Sequence, residues 1–93
     1  MIPQDVKEKI LVISEKHNVR KIAVFGSIVR GTSNDDSDID ILIEFEGKKS
    51  LFDLVRFEEE LELVLQRKVE VITYKSLHPL LEERILNEQV VLK

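Results

Sequence analysis

Two aspartates separated by one residue, Asp38 and Asp40, stand at the head of a run in which polar and apolar positions alternate. Asp38, Asp40, Leu42 and Glu44 take one phase; Ile39, Ile41, Ile43 and Phe45 take the other. A period of two is that of a strand, so both carboxylates project from one face, about 7 Å apart along the strand by its rise. Carboxylates held on one face repel each other unless a cation lies between them. The pair is therefore a candidate metal site. The competing reading leaves both carboxylates solvated, or capping a turn, beside Asp35 and Asp36. Ionised groups just inside an apolar strand are expensive, which tilts the choice towards a metal. A third carboxylate, Glu70, lies between Val69 and Val71 in a later alternating run. If the two strands are neighbours, Glu70 stands beside the pair. Three carboxylates on one face would suit Mg²⁺, which prefers oxygen ligands and substrate phosphates. If not, Glu70 is an exposed strand residue.

The second chemical signal is Gly26-Ser27, directly after the apolar run Ile22 to Phe25. A small-residue turn at a strand end can aim backbone N–H groups at a phosphate. It can equally be an ordinary strand-to-helix turn with Ser27 as N-cap. Two familiar motifs fail on paper. An EF-hand loop read from Asp36 would put Ile41 where glycine belongs and Gly47 where glutamate belongs. Gly26 and Gly31 have P-loop glycine spacing, but Thr32 occupies the position of the phosphate-binding lysine.

The elements that must position these residues follow from periodicity and punctuation. Val6, Ile10 and Ile13 keep helical spacing, with Leu11 widening the stripe, Pro3 suited to the first helical position and Asn18 to a left-handed stop. This predicts a helix over 3–17. Ile22 to Phe25 is a buried strand, followed by one helical turn through Arg30 that Gly31 closes. Thr32 to Ser37 is a polar loop, and Asp38 to Phe45 is the second strand. Their connection is too short for a crossover helix, so the two strands pair antiparallel. Ser50 opens a helix with Asp53 as its capping-box partner. Leu51, Leu54, Val55, Leu61 and Leu65 form the expected buried stripe, with Glu58, Glu59, Glu60 and Glu62 as a solvated face. Lys68 to Thr73 is the third strand, and Pro79 starts a last helix carrying Leu80, Leu81 and Ile85. Val90-Val91-Leu92 is a sheet edge or a partner contact. The order defines an α+β domain: a small mixed or antiparallel sheet with helices packed on one face.

Ninety-three residues make one domain over 1–93 with a modest core, so a large enclosing cleft calls for a second chain. The absence of cysteine removes disulfides and thiolate metal sites, and His17 and His78 are too few and too distant for zinc. His17 ends a helix, where its charge suits the dipole, and His78 caps the last helix. The net charge of −4 and the absence of a basic stripe interleaved with aromatics argue against direct nucleic-acid binding. No apolar run approaches membrane-spanning length and no signal-peptide pattern opens the chain, so the expected location is the cytoplasm, with no membrane partner.

Taken together, Gly-Ser-x10-Asp-x-Asp is specific. In Gly26 to Gly31 and Ser37 to Ile43 the chain resembles the minimal nucleotidyltransferases, the small branch of the DNA polymerase β-like superfamily. Arg67 to Thr73, Leu77 to Leu80 and Ile85-Leu86 resemble the family's later segments. The resemblance implies a polymerase β-like nucleotidyltransferase core in which Asp38, Asp40 and Glu70 are catalytic and hold Mg²⁺. It implies that Gly26 and Ser27 bind the β- and γ-phosphates of ATP, and that Arg30 either steadies phosphate charge or packs the loop. The family's third carboxylate is usually aspartate. The extra methylene of Glu70 moves the carboxylate by about 1.5 Å, where catalytic geometry is sensitive at about 1 Å. Small family members are commonly antitoxins of HEPN-domain toxins. The implied reaction transfers AMP from ATP to a tyrosine of the toxin, with which the chain would form a complex. The alternative is an inactive or weakly active antitoxin that neutralises its partner by binding alone. Tyr74, the only tyrosine, is either self-modified or a packing residue.

Overall fold

The alternating run at Ile39–Phe45 forms the strand against which the rest of the chain is built. The computed structural model describes residues 2–32 and 37–93, so most of the expected polar loop, residues 33–36, lies outside the described residues. The elements are α1 (Gln4–Lys16), β1 (Val19–Phe25), the single turn α2 (Ser27–Arg30), β2 (Ile39–Phe45), α3 (Leu51–Leu65), β3 (Val69–Thr73), a 3₁₀ turn (Tyr74–Ser76), α4 (Pro79–Glu88) and β4 (Val90–Val91). The strands lie in the order β3-β2-β1-β4. β1 runs antiparallel to β2 and to β4, while β2 and β3 are parallel. The sheet is mixed, and the fold is α+β as expected. The parallel pair needs a long connection, and α3 supplies it.

Alternation divides the side chains between two faces. Ile22, Val24, Ile39, Ile41, Ile43, Val69 and Val71 pack with Ile10 and Ile13 of α1 and with Phe57 and Leu61 of α3. Ala23, Phe25 and Leu42 point the other way and form a smaller apolar group with Ile72, Tyr74, Leu77 and Ile85. Helices α1 and α3 thus cover one face. Helix α4 reaches the opposite face through Ile85, and none of its residues is fully buried. Among the described residues no helix is long and apolar enough to cross a membrane.

Several local expectations shift. β1 starts at Val19, because Asn18 takes the left-handed conformation (φ 57°) and the chain is extended from there. Pro3 is the N-cap of α1 rather than its first residue. Ser50 and Asp53 form the expected capping box. The buried stripe of α3 is rotated, however. Phe57 and Leu61 are buried, whereas Leu51 and Val55 are 74% and 45% exposed. Two apolar stripes overlap on this helix, and the sheet selects the one that contains Phe57. The glutamates are also not a plain solvated face. Glu62 and Glu58 accept hydrogen bonds from the backbone N–H groups of Val69 and Val71, at 2.9 and 3.3 Å. Glu60 bonds Lys16 and His17, each at 2.9 Å. β3 is an outer strand, so α3 satisfies donors that would otherwise form an open edge.

Candidate active site

The sheet register assembles the site. Phe25, the last residue of β1, stands opposite Asp40, and Asp40 stands opposite Glu70 on its other side. The Gly26 turn, Asp40 and Glu70 therefore form a row across three strands at one end of the sheet. Asp38 precedes the strand instead of lying inside it, and it is exposed. Its approach is held by two bonds. Arg67 Nη2 donates to the Ser37 carbonyl at 2.9 Å, and the Ile39 N–H donates to the Lys68 carbonyl at 3.0 Å. Arg67 opens the segment that resembles the family, but no role for it followed from the sequence.

Gly26 is glycine for two physical reasons. Its φ of 79° is a conformation that L side chains rarely adopt, and a Cβ there would lie 2.3 Å from Asp40 Oδ2. The turn and the aspartate thus fill one space together. Gly26, not Ser27, is the N-cap of α2, and its carbonyl accepts from the N–H groups of Val29 and Arg30 at 3.1 and 3.2 Å. Ser27 is the first helical residue, and Gly31 ends the turn in the left-handed conformation.

Asp40 is half-buried, and its pKa is raised to about 6. Burial is the largest cause, followed by the charges of Glu70 and Asp38 and a hydrogen bond with Glu70; Arg30 pulls the other way. Asp40 and Glu70 are thus brought together, while Asp38 contributes charge from nearby. Among the described residues no three carboxylate or imidazole groups converge into a closed metal cage. An open set of oxygen donors is compatible with Mg²⁺, which commonly uses one or two carboxylates and fills the remaining positions with water and substrate phosphate. A carboxylate whose ionisation is disfavoured by burial and by like charges is the group whose charged form a cation would stabilise.

Beside these residues lies a cavity of about 210 Å³, lined by Phe25, Gly26, Arg30, Asp40, Arg84 and Glu88 among others. Arg30 forms an ion pair with Glu88 of α4 across it. Glu88 is the last residue of α4, where a carboxylate opposes the helix dipole, and that position is the sequence signal for a cationic partner. Tyr74 donates its hydroxyl to Gln89 Oε1 at 2.7 Å, and Lys21 Nζ lies 4.6 Å from its ring centre, which is a packing role. His78 caps α4 by accepting from the Leu80 N–H at 3.2 Å, and His17 meets Phe57 edge-on.

A glycine turn and two neighbouring carboxylates thus meet at one end of a mixed sheet. Residues 6–92 match the family described as nucleotidyltransferase domain, and the chain belongs to that family. A Methanocaldococcus jannaschii protein provisionally named a protein adenylyltransferase is 54% identical over 86 residues, covering 92% of each chain. The protein adenylyltransferase MntA of Thermococcus cleftensis is 41% identical over 78 residues, covering 84% of this chain and 79% of that one. A solved complex of tri-AMPylated Shewanella oneidensis HEPN toxin with MNT antitoxin contains a chain that superposes with a TM-score of 0.77. That match has 18% identity and covers 97% of this chain and 71% of the other; at that identity the likeness is one of fold. The protein is a nucleotidyltransferase.

Proposed function

We propose that the chain acts as one transferase domain that moves AMP from ATP to a tyrosine hydroxyl of a HEPN-type toxin partner, and so serves as the partner's antitoxin in the cytoplasm. The names of its relatives support the protein acceptor. The observation that carries the reading is the interlock of Gly26 with the Asp40 carboxylate, with Glu70 directly alongside. In that reading Gly26 and Ser27 hold the β- and γ-phosphates and Arg30 balances their charge. Asp38 and Asp40 would hold Mg²⁺, which when bound neutralises charge on the phosphate oxygens and between the carboxylates, with Glu70 either a further ligand or the base, the role taken here. The acceptor oxygen attacks the α-phosphorus and forms the new P–O bond. The bond from that phosphorus to the β-phosphate bridging oxygen breaks, and its electron pair leaves on pyrophosphate. Glu70, which is exposed at the mouth of the row, takes the hydroxyl proton.

Replacing both Asp38 and Asp40 by Asn should abolish transfer of label from α-³²P-ATP to the partner; persistence of transfer would sink the reading. Full protection against the toxin by that inactive variant would instead favour neutralisation by binding alone.

A further inference from the structure

At the far end of β2 lies a second and larger hollow, about 590 Å³, which contains none of the residues assigned above. Glu44 on its rim is four residues beyond Asp40, about 13 Å along the strand by its rise. The apolar group of Leu42, Ile72, Tyr74 and Leu77 occupies the same sheet face between the two. Four cations line the hollow, Arg20, Lys48, Lys49 and Lys75, against one carboxylate, Glu44. They come from β1, from the β2–α3 loop and from the 3₁₀ turn, so the fold gathers them in a chain whose net charge is −4. Arg20 is paired with Glu44, and the Asp53 carboxyl, held below its usual range chiefly by its hydrogen bonds with Ser50, also feels the charge of Lys49. Lys48 and Lys75 form no ion pair with a described residue.

We infer that this cleft docks a carboxylate-rich segment of the protein that accepts the nucleotide. The chemistry selects that occupant over other anions. A lone phosphate is best gripped by an arginine fork, and the guanidinium here is already engaged by Glu44. Single-stranded nucleic acid needs open aromatic rings on which bases stack, yet Lys21 covers the Tyr74 ring and Phe45 packs against the main core. Separate lysine charges around an open hollow match carboxylates spaced along an extended peptide. Docking there fixes the partner at a point distant from Asp40 and leaves the transfer site open. The inference rests on the acceptor being a protein.

The test is anisotropy of a fluorescein-labelled octaglutamate peptide with the full chain at about 50 mM salt, where surface charges are weakly screened. Saturable binding is expected, weakened roughly tenfold or more by K48E/K75E. K7E/K9E on α1 makes the same change in net charge and should weaken it far less. Absence of saturable binding, equal loss in both variants, or tighter binding of labelled octauridylate overturns the inference. D38N/D40N should bind the peptide as well as the wild type does. A failure of peptide binding and a failure of nucleotide transfer are therefore separate results.

Discussion

Gly26 and Asp40 form one unit, although thirteen residues lie between them. Gly26→Ala would force a methyl group into the space of the Asp40 carboxylate, 2.3 Å away, at a φ of 79°. The aspartate is short, so relief comes from rotating its carboxylate out of the row beside Glu70. The backbone strain costs about 1–3 kcal/mol. The larger effect falls on transfer, because a displacement of about 1 Å can cost about 100-fold in rate. The variant should fold, melt roughly 4–24 °C lower and transfer at roughly one hundredth of the wild-type rate or less. A melt and a label-transfer assay on the same preparation check it, and near-normal transfer would break the proposed link between turn and aspartate.

Among the elements, α4 is attached most lightly. None of its residues is fully buried, and Leu80 is 86% exposed. Its end is tied to the α2 turn by the Arg30–Glu88 ion pair. The cavity they enclose, about 210 Å³, is smaller than the roughly 300–1,000 Å³ of ordinary ligand pockets, so if the proposed nucleotide binds there, α4 must give way. Glu88→Gln should loosen that tie. Amide exchange over 79–88 should quicken, and the KM for ATP should fall severalfold with little change in kcat. A raised KM would instead mean that Glu88 holds Arg30 ready for the phosphates. This pairing could not be read from the sequence, because contacts between distant segments leave no periodicity. The period-two run did foretell the two-faced sheet and the common phase of Asp40 and Leu42. The short connection foretold the antiparallel pair, and the Ser50–Asp53 box fixed the start of α3. The sequence contained the residues of the candidate row, but only the register placed Glu70 directly beside Asp40. On α3 the expected stripe included Leu51 and Val55, which are exposed, and omitted Phe57, because two apolar stripes overlap and only packing on the sheet chooses between them.

At the scale of the whole molecule, the carboxylate row opposes folding. Asp40 in the folded chain is raised to about 6, above the unfolded aspartate value of about 3.9. A raised folded value means that the native state holds the proton more tightly. The associated stability is full below about pH 4 and is lost as pH rises through about 6. Burial is the largest cause, followed by Glu70 and Asp38 and opposed by Arg30, with Arg84 and Glu88 lining the same cavity. At neutral pH the metal-free chain thus carries an ionised carboxylate in a place that disfavours it, a common cost of a functional site. D38N/D40N should therefore melt higher than the wild type in chelator at pH 7, and the difference should shrink as pH falls towards 4. In a chain of this size about 1 kcal/mol corresponds to about 4–8 °C in Tm, so the effect is measurable. Added Mg²⁺ should raise the wild-type Tm and leave the variant unmoved, since only the wild type presents the ionised pair. Equal melting of the two proteins in chelator at both pH values would show that the carboxylates impose no such strain.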